Sequence, residues 1–182
     1  LGAVAVPLNF RLAPDELVYI INHSDSEVLV ADHNTIEMAQ GMLDRLERIR
    51  QRVVFGAEAE GWLDYEELLE ESSDAEPEVE VSEDDLCHLQ YTGGTTGLPK
   101  GVMLTHRNLL ANAMQCSMWA KEFTERGKDF YLDVIPFFHS YGQTVGMNTA
   151  IANAATMVLI PQFEINMMLQ AIQKYRPNFF PG

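Results

Sequence analysis

Val4, Val6 and Leu8 alternate with small residues before Asn9, the two-residue period of a strand. From Pro14 the period lengthens. Leu17, Ile20 and Ile21 share one helical face, Pro14 stands in the first turn where a missing N–H is tolerated, and Asp15 and Glu16 lie at the positive end. Residues 28–31 predict a second strand, Ile36, Met42, Leu43 and Leu46 predict a helix over 34–50, and 53–55 predict a third strand. A helix over 65–71 follows. The second half repeats the alternation: strand 87–91, a polar Gly-rich loop, strand 101–104, and a helix N-capped by Thr105 and running to about 119. Next come a strand over 130–134, a helix over about 141–153, a strand over 156–160 and a helix over 165–175 that Pro177 stops. Such alternation predicts right-handed crossovers, hence an α/β fold of mainly parallel sheets flanked by helices.

Charge then divides the chain. The net charge is −15, yet fourteen acidic residues and no Lys or Arg lie between positions 58 and 85, so the remainder is close to neutral. We read 1–72 as a first α/β lobe, 73–85 as an acidic, solvated linker containing Pro77, and 86–182 as a second α/β segment. The acidity excludes a nucleic-acid footprint. The longest apolar stretch, 150–161, is too short to span a bilayer and is interrupted by Asn153, so no transmembrane segment is expected. The chain starts at Leu1 with no visible targeting segment, although one could precede it, and a cytoplasmic location is expected. Cys87 and Cys116 have neither partner spacing nor zinc spacing and read as reduced thiols. The chain ends on Phe179-Phe180-Pro181-Gly182, an apolar strand start, which suggests truncation. Uncovered apolar faces and strand edges in a fragment would favour homo-oligomers.

The chemistry concentrates in Tyr91-Thr92-Gly93-Gly94-Thr95-Thr96-Gly97-Leu98-Pro99-Lys100-Gly101. Glycines 93, 94 and 97 allow backbone N–H groups to turn inward as an anion-binding nest, the threonine hydroxyls add neutral donors, and Lys100 adds a charge. That composition suits phosphate. It is neither a Walker A loop, because Pro99 precedes Lys100 and Gly101 follows it, nor a GxGxxG fingerprint. A flexible ligand-free turn would account for the glycines but not for three threonines and a lysine in one loop.

The segment from Tyr91 through Val102 resembles the signature loop of the adenylate-forming superfamily, which includes acyl-CoA synthetases, luciferases and peptide-synthetase adenylation domains. Gly2 to Asn9 resembles that family's upstream strand and turn. Pro136-Phe137-Phe138-His139-Ser140-Tyr141-Gly142 resembles its downstream motif of proline, aromatics, histidine and glycine. The resemblance spans nearly the whole chain and is greatest to a fatty acyl-CoA synthetase. It implies an incomplete, internal fragment of the two-lobed N-terminal domain of such an enzyme. It also implies that Thr92, Gly93, Gly94, Thr95, Thr96 and Gly97 wrap the ATP phosphates, that Thr92 helps hold Mg²⁺, and that Lys100 lies by the pyrophosphate. His139 would sit where the acyl carboxylate meets the α-phosphate. The implied activity is ATP-dependent carboxylic acid:CoA ligation through an acyl-adenylate, with ATP, Mg²⁺ and coenzyme A, on a carboxylic acid that is best guessed as a fatty acid. An acyl carboxylate is already ionised at neutral pH, so His139 is expected to orient or hydrogen-bond rather than act as a base. The family's later adenine, ribose and catalytic-lysine segments do not occur in these 182 residues, so the isolated chain is expected to be inactive.

Rival readings are an acyl-AMP ligase or peptide-synthetase adenylation domain, and a non-catalytic nucleotide-binding module. Trp119, Phe123, Phe137, Phe138 and Tyr141 are candidates for an apolar acyl tunnel but read more readily as core. Gly142-x-x-x-Gly146 reads as a close-packing motif and Met167 and Met168 as core. His23, His33, His88 and His106 share no ligand spacing and receive no role.

Overall fold

The computed structural model describes residues 2–94 and 97–182. They form two compact units, one of residues up to Val81 together with Tyr91–Val102, the other of Ser82–Gln90 with Met103–Gly182. The described residues of the Gly-rich region, 91–94 and 97–101, therefore group with the first unit.

In the first unit, α1 (Pro14–His23) begins at Ala13, whose N–H donates to Glu16 Oε2 at 3.0 Å. Strands β1 (Val28–Asp32), β2 (Gln51–Phe55) and β3 (Leu63–Asp64) pair in that order, all parallel. Leu29 and Ala31 point inward with Ile21, Ile36, Ala39, Val54 and Trp62, while Val28 and Val30 on the alternate face remain exposed. On that second face Val53, the partner of Val30 in the register, is buried, so among the described residues this face is covered only in part. The helix expected over 34–50 is broken: α2 covers Ile36–Gln40, a 3₁₀ turn covers Leu43–Arg45, and Gly41 caps the first piece. Glycine's high entropy cost in a helix interior, and the burial of Met42 against Leu17 and Val18, favour a turn there. Residues 2–9 lie outside any strand apart from a bridge at Ala5, so the expected first strand is not formed. Helix α3 (Tyr65–Glu71) is capped by Asp64, which accepts from the N–H groups of Glu66 and Glu67.

Strands β4 (Leu86–Gly94) and β5 (Gly97–Thr105) pair as a separate two-stranded sheet. Two residues separate them, a connection short enough only for an antiparallel pair. In the second unit, α4 (His106–Trp119) starts in a reciprocal cap: Thr105 Oγ1 accepts from Asn108 N at 3.2 Å, and Asn108 Oδ1 accepts from Thr105 N at 3.0 Å. Arg107 forks onto Asp84 at 2.8 and 3.2 Å and reaches Glu83 at 2.7 Å, tying the turn before β4 to the start of α4. Replacing Thr105 by alanine is expected to lower the stability of this unit by about 1 kcal/mol, read as a shifted denaturant midpoint with an unchanged slope.

Strands β6 (Phe130–Asp133) and β7 (Thr156–Leu159) are parallel, and Phe179 bridges onto Tyr131 with its ring stacked at 4.5 Å. Between them the chain forms a π-helical segment (Gly142–Asn148) and α5 (Thr149–Ala152), on which α4 packs. Helix α6 (Ile165–Tyr175) begins at Glu164, which caps the N–H groups of Asn166 and Met167, and ends at Arg176 in the left-handed region (φ 47°) just before Pro177. Leu132, Ile160 and Ala171 form the core with Met168 partly buried, whereas Met167, expected in the core, is exposed. None of the described helices is long and apolar enough to cross a membrane.

Candidate functional site

The Gly-rich segment is extended where a loop was expected. Tyr91–Gly94 and Gly97–Lys100 are strand residues, so the inward-turned nest of N–H groups is not formed by the described residues. The reason is pairing: in a two-stranded ladder alternate N–H groups face the partner strand and the rest point outward. A Cβ added at Gly93 or at Gly97 would meet nothing within 4 Å, and neither residue has a left-handed φ. Neither packing nor backbone geometry requires glycine at these two positions; what glycine leaves there is uncovered backbone. Thr92 and Lys100 are exposed, and no ion pair engages Lys100 among the described residues. Thr95 and Thr96 lie outside the described residues.

The base of the hairpin is held more firmly. Tyr91 Oη lies 2.7 Å from His23 Nδ1 at the end of α1, the rings meet edge to face at 5.8 Å, and Tyr19 adds a further ring contact to His23. Burial, then the neighbouring Tyr19 and Asp25, holds the Tyr91 phenol above its ordinary value, so it stays a hydrogen-bond donor. A Cβ at Gly101 would come within 3.0 Å of the Tyr91 ring, so glycine there gives the tyrosine its room. His23, given no role from the sequence, thus anchors the hairpin.

In the second unit His139 follows the carboxyl end of β6, the end at which ligands bind in parallel α/β sheets. It is exposed. Its N–H donates to Pro136 O at 3.0 Å, its carbonyl accepts from Gln143 N at 2.9 Å, and Tyr141 N donates to its Nδ1 at 3.2 Å. With Nδ1 an acceptor, the ring proton belongs on Nε2, which is left as an outward donor. Gly142 makes this turn tight: a Cβ there would lie 2.6 and 2.7 Å from the carbonyls of Pro136 and Ile135. Gly146 lies against the Asp133 carboxylate. Thus the Gly142-x-x-x-Gly146 pair admits a turn and a carboxylate rather than a second helix.

Sequence reasoning missed a buried polar cluster beneath this turn. His88 Nε2 lies 3.1 Å from Gln90 Oε1, Gln90 Nε2 donates to Phe138 O at 2.8 Å, and Gln143 Nε2 approaches His88 Nδ1 at 3.4 Å. The one sequence signal is that His88 and Gln90 share a strand face. Among the aromatics, Trp119 and Phe123 are 90% and 78% exposed, so they line no enclosed tunnel here, and Phe137 and Phe138 are half-buried. No group of three or more potential metal ligands occurs among the described residues.

The sequence model of the family described as AMP-binding enzyme matches residues 1–182. The long-chain-fatty-acid–CoA ligase of Bacillus subtilis is 49% identical over 100 residues, which is 55% of this chain and 18% of that protein. The long-chain-fatty-acid–CoA ligase of Thermus thermophilus is 39% identical over 140 residues, 76% of this chain and 25% of that protein. The crystal structure of the anthranilate CoA ligase AuaEII in complex with anthranoyl-AMP superimposes with a TM-score of 0.89 at 25% identity, covering 99% of this chain and 35% of that one. The chain thus spans about a third or less of the length of these proteins.

Proposed function

Because the chain belongs to the AMP-binding enzyme family, we propose that its residues serve an ATP-dependent carboxylic acid:CoA ligase at the full length of its relatives, and that these 182 residues alone do not adenylate. The observation that carries this reading is the exposed hairpin, where Gly93 and Gly97 leave backbone uncovered for no packing reason beside the exposed Thr92 and an exposed Lys100 that no carboxylate engages among the described residues. Backbone N–H groups, a hydroxyl and an ammonium are the donors a polyphosphate requires.

In the first step a carboxylate oxygen bonds to the α-phosphorus of ATP, and the bond from that phosphorus to the bridging oxygen breaks, releasing pyrophosphate. In the second the sulfur of coenzyme A takes the acyl carbon, losing its proton, and AMP leaves. Thr92 to Gly97 hold the phosphates, and Lys100 offsets the charge that grows on the departing pyrophosphate. His139 offers its Nε2–H to an oxygen of the acyl carboxylate or the α-phosphate, which needs no base because the carboxylate is already ionised. A hard cation fits a donor set of one threonine hydroxyl and phosphate oxygens, with Thr92 as the protein ligand. Bound Mg²⁺ would supply neutralisation of phosphate charge.

The relatives named for long-chain fatty acids favour a fatty acid as the acyl donor. The test is ATP–pyrophosphate exchange by the whole protein with acids from acetate to palmitate. Exchange dependent on the long-chain acids is expected. Exchange with none of the acids by folded protein would remove the enzyme reading, and acyl-AMP formation without transfer to coenzyme A would move the reading to an acyl-AMP ligase.

A further inference from the structure

We infer that His88, Gln90 and Gln143 form a closed hydrogen-bonded ring whose work is to position His139, an inference that rests on the role proposed for that histidine. The direction of every donor follows from one end. The Phe138 carbonyl can only accept, so the Gln90 amide nitrogen faces it and the Gln90 oxygen faces His88. His88 Nε2 must then carry the proton, which leaves Nδ1 to accept from the Gln143 amide. Gln143 in turn donates its backbone N–H to the carbonyl of His139. From His139 one peptide bond returns to Phe138, and the ring closes.

Each of the three side chains is at least nine-tenths buried, at 3%, 8% and 9% exposed. Burying three polar side chains is costly unless their donors and acceptors are met, and apolar residues would fill the same space without that demand. What an apolar residue could not do is hold the Phe138 carbonyl, the one before His139, as the Gln90 side-chain amide does. The carbonyl of His139 is held by the backbone N–H of Gln143, whose side chain closes the ring on His88, while Tyr141 holds the imidazole through Nδ1. The outward aim of His139 Nε2 is therefore set by residues about 50 positions earlier in the chain. A misplacement of about 1 Å at a reacting group can cost about 100-fold in rate. His88, Gln90 and Gln143 are positioning residues, since none is placed against substrate.

The experiment is a double-mutant cycle in the whole protein, with Gln90→Leu and His139→Ala singly and together, read by kcat and KM in acid-dependent ATP–pyrophosphate exchange and by thermal unfolding. Gln90→Leu is expected to lower kcat about 100-fold with KM for ATP changed less than about threefold, and to add less than about threefold once His139 is alanine. The triple variant H88L/Q90L/Q143L removes the unmatched polar atoms, so it should recover stability without recovering kcat. If Gln90→Leu does not fold, this triple variant carries the cycle in its place. Losses that multiply in the His139→Ala background, a kcat within about twofold of the parent, or a kcat that returns together with stability would each overturn the inference while leaving the role of His139 intact. An inert His139→Ala would instead remove the proposed role of His139, and the inference with it.

Discussion

Lys100→Ala is expected to lower acid-dependent ATP–pyrophosphate exchange by about 10²–10³ while leaving the unfolding transition unmoved. The size follows from what the ammonium would do. In the proposed reaction an anion attacks a polyanion, and the negative charge that must be stabilised grows on the pyrophosphate as it leaves. A donor aimed at developing charge acts more strongly in the transition state than in the ground state, so its loss should fall on kcat more than on KM. The absence of a stability effect follows from the structure. Lys100 is exposed on β5 and engages no carboxylate among the described residues, so truncation leaves no partner stranded. The chain's net charge of −15 sharpens the contrast: the surrounding field disfavours a nucleotide, and one cation at the hairpin carries weight it would lack on a basic surface. Lys100→Arg should recover part of the rate because it restores the charge but not the compact shape. Exchange undiminished in Lys100→Ala would exclude Lys100 from the phosphate site, and a large fall in unfolding temperature would show that the side chain is structural.

How far the sequence could be read depended on whether the deciding contacts were local. Helix α6 was legible at its end because Pro177 acts on its own neighbours, and α4 at its start because Thr105 caps three residues ahead, whereas the Glu164 cap of α6 came only with the structure. The span 34–50 was misread because apolar spacing continues through Gly41, and only the burial of Met42 shows that the chain turns there. The Gly-rich segment was not legible as strand, since glycine has little strand propensity and the pairing of β4 with β5 overrides it. His23 and His88 could not be assigned from spacing. Tyr91 lies 68 residues from His23, and although Gln90 shares a strand face with His88, Gln143 lies 55 residues from it, so no local pattern shows either assembly.

Asp133 carries the other large expectation. It ends β6 at 5% exposure, its Oδ2 has no hydrogen-bond partner among the described residues, and burial pushes its carboxyl up to about 6. Gly146 makes room for it, since a Cβ there would lie 2.5 Å from Oδ1. The folded chain therefore holds this proton more tightly than the unfolded chain, whose aspartate has its ordinary value of 3.8. Between about 4 and about 6 the folded state has more protons bound, so this group's contribution makes stability fall as pH rises; above about 6 both states are ionised and the cost is constant. The interval corresponds to about 3 kcal/mol. Asp133→Asn keeps the shape and removes the charge, so it is expected to raise stability at pH 8 by up to about 3 kcal/mol and to give almost no gain near pH 4. Denaturant unfolding of parent and variant at both pH values reads this directly. Equal stability at pH 8 would mean that the carboxylate gains a partner which offsets its burial, and a gain of the same size at pH 4 would mean that shape rather than charge is responsible.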